Sequence, residues 1–237
     1  MKLLPHRELP QDWDQFYSEE SQHERSSCLQ SFYYQPLVGP EQPMASTDFV
    51  AVDIETTGLD AEEDDIVSIG LVPFDYHRIY LAQAMHWIVG SRQLTSESII
   101  VHGITHSEVI NAPSLRSTLP DIIPHLKGKQ VVVHYRYMER EFFRQSASKL
   151  MQQNWLFPVI DTMELEINYQ RRQQRTMAKW LQQPLPSLRL PNVRQRYNLP
   201  AYENHNALVD ALATAELLQA QIVKQDLTQT PVRKLWY

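Results

Sequence analysis

Phe49-Val50-Ala51-Val52-Asp53-Ile54-Glu55-Thr56-Thr57-Gly58 reads as a β-strand that leaves an apolar interior carrying two carboxylates. Side chains alternate across a strand, so Val50, Val52 and Ile54 share one face while Phe49, Ala51, Asp53 and Glu55 share the other. Two residues advance about 6.6 Å along a strand. Two carboxylates so spaced can grip metal ions about 3.5–4 Å apart. Taken alone, an Asp-x-Glu pair is more often a solvated strand end than a site, so its meaning depends on the rest of the chain.

The chain of 237 residues has 43% hydrophobic and 21% charged side chains, which excludes a disordered polymer. No apolar run approaches the ~20 residues of a membrane span. The start, Met1-Lys2-Leu3-Leu4-Pro5-His6, lacks the apolar core of a signal peptide, so a cytoplasmic protein with no membrane partner is expected. Cys28 is the single cysteine. It supplies no internal disulfide and no thiolate cluster, which leaves oxygen ligands and hence Mg²⁺ or Mn²⁺ as the expected metals. The formal net charge of −6 argues against gripping nucleic acid by bulk electrostatics. The charge is segregated, however. Residues 1–46 carry seven acidic against three basic side chains, whereas 168–202 carry seven basic ones and no Asp or Glu.

Residues 1–46 form an N-terminal extension, with Trp13, Phe16, Tyr17, Phe32, Tyr33 and Tyr34 in a polar background. Asp12 to Ser31 is expected to make one or two short helices, packed on the main domain or on a partner. Pro36, Pro40 and Pro43 mark a linker. A domain over 47–226 follows, then a tail over 227–237. After the opening strand, Ile66–Phe74 and Ile79–Val89 read as two strands joined by a turn at 75–78. Ser96–Val101 and Pro113–Leu126 read as helical. Gln130–His134 is an apolar strand of the kind buried on both faces. Met138, Phe142, Phe143, Ala147, Leu150 and Met151 recur at helical spacing. Val159-Ile160 is a last strand, Asp161 caps the next helix, and a long helix spans Asn206–Gln225. Three strands followed by α/β alternation predict an α/β fold, a mixed five-stranded sheet flanked by helices. Functional groups in such sheets gather at the carboxyl ends of strands.

Glu139, in the first turn of the helix after 130–134, and Asp210, early in the closing helix, fall where this architecture can bring them to Asp53 and Glu55. His205 precedes Asp210 with four residues between. Five residues on a helix turn through about 500°, so these two cannot share a helical face. His205 is therefore expected on the loop before the helix, free to swing in. Individually each has a plainer explanation. A carboxylate near a helix start is favourable without any function.

Together, Phe49–Gly58 with Ile66-Val67-Ser68-Ile69-Gly70, Val133-His134 through Glu139 and Phe142, and His205-Asn206-Ala207-Leu208-Val209-Asp210-Ala211 resemble the motifs of the DEDD family of 3′-to-5′ exonucleases. That group includes the epsilon subunit of bacterial DNA polymerase III, RNase T and oligoribonuclease. His102-Gly103-Ile104-Thr105 and Asp161-Thr162 also match its habits, and the spacing of His205 is that of the histidine subtype. The resemblance implies a ribonuclease H-like fold and two-metal hydrolysis of a terminal phosphodiester. Asp53, Glu55, Glu139 and Asp210 would hold two divalent ions, Mg²⁺ or Mn²⁺. His205 would be the general base, a role that suits an imidazole because its ordinary pKa, about 6.5, lies near working pH. The terminal nucleotide would lie against Thr56, Thr57, Gly58, His102 and Ile104.

One departure from the family stands out. Its second motif usually ends in Phe-Asp, and this chain has Met138-Glu139, which keeps the charge and adds a methylene. Arg171, Arg175 and the other cations of 168–202 are candidates for a phosphate backbone, with Tyr169, Trp180 and Tyr197 as stacking surfaces; a solvated Arg/Gln-rich helix explains them equally. The expected substrate is the 3′ end of single-stranded nucleic acid, DNA favoured over RNA. A polymerase or a sliding clamp is a candidate partner, although the tail ending in Trp236-Tyr237 is expected to pack back on the domain. The competing reading is a nucleic-acid-binding or polymerase-associated subunit with a degenerate site.

Overall fold

The computed structural model describes residues 9–22, 27–91, 104–175, 184–203 and 205–237. The helix expected over Ser96–Val101, and His102, Gly103, Lys179 and Trp180, lie outside the described residues. Two helices, α1 (Trp13–Gln22) and α2 (Ser27–Tyr34), precede β1 (Phe49–Thr56), β2 (Ile66–Phe74) and β3 (Met85–Ile88). Then follow α3 (His106–Asn111), α4 (Leu115–Leu126), β4 (Gln130–Val133), α5 (Tyr137–Met151), β5 (Val159–Asp161), α6 (Thr162–Arg175), α7 (Leu190–Arg196) and α8 (Ala207–Lys224). Among the described residues no helix is long and apolar enough to cross a membrane.

The strands form one mixed sheet in the order β3-β2-β1-β4-β5. β1 runs antiparallel to β2 and parallel to β4, which puts it at the centre. Its alternation sorts the two cores. Val50, Val52 and Ile54 join Leu119, Ile122 and Ile123 of α4 and Phe142 and Phe143 of α5. Phe49 and Ala51 face Ala211, Ala215, Leu218 and Ile222 of α8. Asp53 and Glu55 continue that second face to the end of the strand.

The approach of α8 depends on a missing side chain. A Cβ on Gly70, the cross-strand partner of Asp53, would lie 2.2 Å from the Ala207 carbonyl oxygen. Lacking a side chain, Gly70 thus lets the first turn of α8 rest on the sheet. Asn206 caps that turn, its side-chain oxygen accepting from the Leu208 and Val209 N–H groups.

The strand expected over Ile79–Val89 is shorter, only Met85–Ile88. The Asp75 carboxylate accepts from the His77 and Arg78 N–H groups and from the Tyr80 hydroxyl, which closes the turn tightly. A 3₁₀ turn at Leu81–Gln83 then interrupts the extended chain.

Both flanking segments pack on the domain. Phe32 lies edge-on to Trp155 and Phe157, 5.8 Å between ring centroids in each case, and the Tyr33 hydroxyl donates to the Leu156 carbonyl. At the other end, the Met44 and Ala45 N–H groups donate to the Thr230 and Thr228 carbonyls, and the Val232 N–H to Gln42. The tail also meets the domain itself, where Tyr237 and Val159 exchange main-chain hydrogen bonds.

Substituting Gly70→Ala is expected to push α8 off the sheet at a cost of about 1–3 kcal/mol, the usual range for overpacking. A lower urea midpoint at unchanged m-value checks it.

Candidate active site

Asp53 and Glu55 end β1, where the α8-side core gives out, and Asp210 comes down on them from the first turns of α8. One carboxylate oxygen from each lies within 4.8 Å of the others. Glu55 is buried and the other two are partly so.

Glu139 stands at one remove. It is 4% exposed, in the first turn of α5 beyond the end of β4, and its Oε2 has no hydrogen-bond partner among the described residues. Its charge nevertheless reaches the trio. Burial, followed by repulsion from Glu139, Glu55 and Asp210, pushes the Asp53 carboxyl well above the ordinary range. Burial raises Glu139 likewise, with Asp161 and Glu55 adding to it while its own backbone N–H opposes. Asp210 is raised by burial and by Glu55, against the His205 N–H that bonds it. Three carboxylates thus cluster, with the charge of a fourth, Glu139, pressing on them and its Oε2 unpartnered among the described residues. A divalent cation is the chemistry that fits such a donor set.

His205 precedes the cap of α8 in a left-handed conformation, φ 69°, and is exposed. Its N–H donates to Asp210 Oδ2 at 2.8 Å, so the backbone of one candidate orients the carboxylate of another. After β1 the chain turns on Thr57, whose hydroxyl donates to Asp64 Oδ1 and accepts from the Asp65 N–H. A Cβ at Gly58 would sit 2.4 Å from Asp64 Oδ2 and would displace that carboxylate from Thr57. The Thr56 hydroxyl donates to the Gly58 carbonyl. The acids of 60–65 are in part structural: Asp64 accepts from the Asp60 N–H and Asp65 from the Ser91 hydroxyl. Leu59, which follows Thr56–Gly58 in the chain, is an apolar side chain left 76% exposed that sequence reasoning passed over. Its signal was a leucine set in an acidic turn.

Of the remaining candidates, Ile104 is buried against Val67 and Val109, which leaves only its backbone for a ligand. Arg171 is exposed on α6, and the side chain of Arg175 lies outside the described residues. Asp161 is a structural carboxylate. It accepts from the Tyr135, Arg136, Met163 and Glu164 N–H groups and pairs with Arg136. His134 is fixed between the Thr162 hydroxyl and the Leu188 carbonyl. A carbonyl only accepts, so Nε2 carries the proton, and burial keeps the ring neutral.

Part of the basic stretch is committed to the fold. Arg194 is 3% exposed, bonded to Glu216 and to the Ala213 and Pro200 carbonyls. Arg196 pairs with the buried Glu166, which also accepts from the Tyr197 hydroxyl. These groups hold α6, α7 and α8 together, which occupies side chains that the sequence offered to a substrate. Their acidic partners come from outside 168–202.

The family model RNase T, described as an exonuclease, matches residues 50–218. DNA polymerase III PolC-type of Thermotoga maritima is 32% identical over 170 residues, 71% of this chain and 11% of the relative. The chain thus spans about a tenth of the PolC-type relatives it matches. DNA polymerase III subunit epsilon of Treponema pallidum is 29% identical over 179 residues, 73% of this chain and 76% of the relative. Among solved structures, the nuclease domain of 3′hExo, a DEDDh family member bound to rAMP, superposes at a TM-score of 0.62 with 15% identity. It covers 76% of this chain and 94% of that one. Exonuclease I of E. coli with a dT13 oligonucleotide gives 0.58 at 16% identity, covering 76% and 42%. Likeness at that level shows a shared fold.

Carboxyls raised in the folded state favour the folded protein fully below their unfolded pKa, about 4, and that advantage is lost as pH rises through the folded values. In chelator, Asp53→Asn is therefore expected to melt at least 2–4 °C above wild type at pH 8, about 1 kcal/mol for this size, with the gain fading towards pH 4. Calorimetry at the two pH values checks it.

Proposed function

The chain belongs to the RNase T family of exonucleases, and from that premise we propose that it is a metal-dependent 3′-to-5′ exonuclease. It removes nucleoside 5′-monophosphates from single-stranded ends, with DNA preferred over RNA. The observation that carries this reading is the packing of the Asp53, Glu55 and Asp210 carboxylates within 4.8 Å, with buried Glu139 pressing its charge on Asp53.

Asp53, Glu55, Asp210 and Glu139 would hold two divalent cations, and the orphaned Oε2 of Glu139 fits a ligand waiting for a positive charge. When bound, the cations supply Lewis acidity, lower the pKa of a water and neutralise phosphate charge. The residues themselves do the orienting. Asp53 and Glu55 are fixed by the end of β1, and Asp210 is held by the His205 N–H. The exposed His205 imidazole takes the proton from the attacking water at a ring nitrogen, and its loop position lets it close on the substrate. Backbone groups at Thr56–Gly58 and Ile104, with His102, cradle the terminal nucleotide, and Leu59 packs on its base. Arg171 and Arg175 contact the strand further back. The polymerase names of the relatives support work beside a DNA polymerase and the preference for DNA.

Incubation with 5′-labelled single-stranded DNA and RNA oligonucleotides in Mg²⁺ or Mn²⁺ tests this directly. A ladder shrinking from the 3′ end, faster on DNA and abolished by Asp53→Ala, is the expected result. His205→Asn is expected to lower kcat by about 10²–10⁴-fold, the usual worth of a positioned base. Tight binding of the oligonucleotides with no shortening in either metal would instead point to the degenerate subunit.

A further inference from the structure

Among the described residues no donor reaches Glu139 Oε2, so its carboxylate is placed by the helix turn that carries it. That turn is bracketed by two arginines, Arg136 at the cap of α5 and Arg140 one turn on. A single distant residue touches both. The Tyr237 ring lies 4.4 Å from the Arg136 guanidinium, and the Tyr237 main-chain oxygen accepts from Arg140 Nη2.

Tyr237 is itself well anchored. Its N–H donates to the Val159 carbonyl at 3.0 Å, and the Val159 N–H donates back at 3.3 Å, which lays the tail along the edge of β5. Its hydroxyl accepts from Asn168 on α6. The preceding Trp236 donates its indole N–H to Gln130 Oε1, and Gln130 is 2% exposed. Arg136 completes the assembly. Its guanidinium pairs with Asp161 and Glu164 at 3.0 and 3.2 Å and stacks on Tyr137 as well, and the Asp161 carboxylate holds the N–H groups of Tyr135, at φ 88°, and Arg136.

We propose that Tyr237 is a positioning residue for Glu139: clasping Arg136 and Arg140, it fixes the α5 turn between them and so the depth at which the glutamate carboxylate meets the other three. The longer side chain makes this demand sharper, since an added methylene must be offset by where the helix starts. A misplacement of 1 Å at a reacting centre costs about 100-fold in rate.

The proposal rests on the exonuclease reading for its consequence, not for its geometry, and the experiment separates them. Amide hydrogen exchange over 137–141 is compared in wild type, Tyr237→Ala and Tyr237→Phe, and Mn²⁺ binding is followed by calorimetry. Tyr237→Ala is expected to speed exchange at 137–141 about tenfold with α8 unchanged, and to weaken Mn²⁺ about 10- to 100-fold, as loss of outer support does at metal sites. Tyr237→Phe, which keeps the ring on Arg136 and the main-chain bonds, is expected to restore both. Unchanged exchange at 137–141, or faster exchange spread equally over α8, overturns the proposal, as does faster local exchange with wild-type Mn²⁺ affinity. A wild-type protein that binds no Mn²⁺ counts against the exonuclease reading, and the exchange comparison then decides the clasp alone.

Discussion

Mutual repulsion among four carboxylates at the carboxyl end of β1 is the constraint around which the domain is arranged. Asp53, Glu55, Glu139 and Asp210 are all wholly or partly withdrawn from water, and three of them titrate above their ordinary range because burial and like charge act in the same direction. The surrounding backbone offsets part of this. Glu139 and Asp210 each sit in the first turn of a helix, where the helix dipole favours negative charge. What remains is the electrostatic potential that a divalent cation would meet, and binding there turns a folding liability into affinity.

Holding such a cluster demands a scaffold that does not yield. The central strand supplies one side, clamped between two apolar cores of opposite face. Gly70 supplies another, by admitting the α8 backbone to a distance no larger side chain permits. Asp161 supplies a third. Though acidic and close by, it is spent on four backbone N–H groups and Arg136, so it acts as a rigid joint between β5, α6 and the start of α5 rather than as a ligand.

The core strands were legible in the sequence because their signal is local. Alternation in Phe49–Glu55 and the apolar run at 130–133 each specify a strand and its faces without reference to anything distant. The ordered acids Asp53, Glu55 and Asp210 converge as their motif spacing implies, and Glu139 is buried at the expected helix start. Legibility failed where a partner came from afar. The window 168–202 contains no acid, yet Glu166 lies two residues before it and Glu216 lies on α8, and both claim arginines that looked free for substrate. Helix α7 escaped notice for a related reason: it lacks an apolar stripe and is anchored largely by Arg194. The late start of the third strand follows from the 3₁₀ turn at Leu81–Gln83, which no alternation pattern encodes.

The stitching of the linker to the tail, Met44 to Thr230 and Val232 to Gln42, also defines where the catalytic unit opens to the outside. Entry and exit adjoin, with Pro43 bridged to Pro231. A unit whose two gates lie side by side occupies a host polypeptide as a cassette does, adding a lobe without separating the host's own segments. In the PolC-type relative from Thermotoga maritima, the matching stretch is 11% of a far longer chain. The bridge between Pro43 and Pro231 brings the two ends of the intervening stretch side by side.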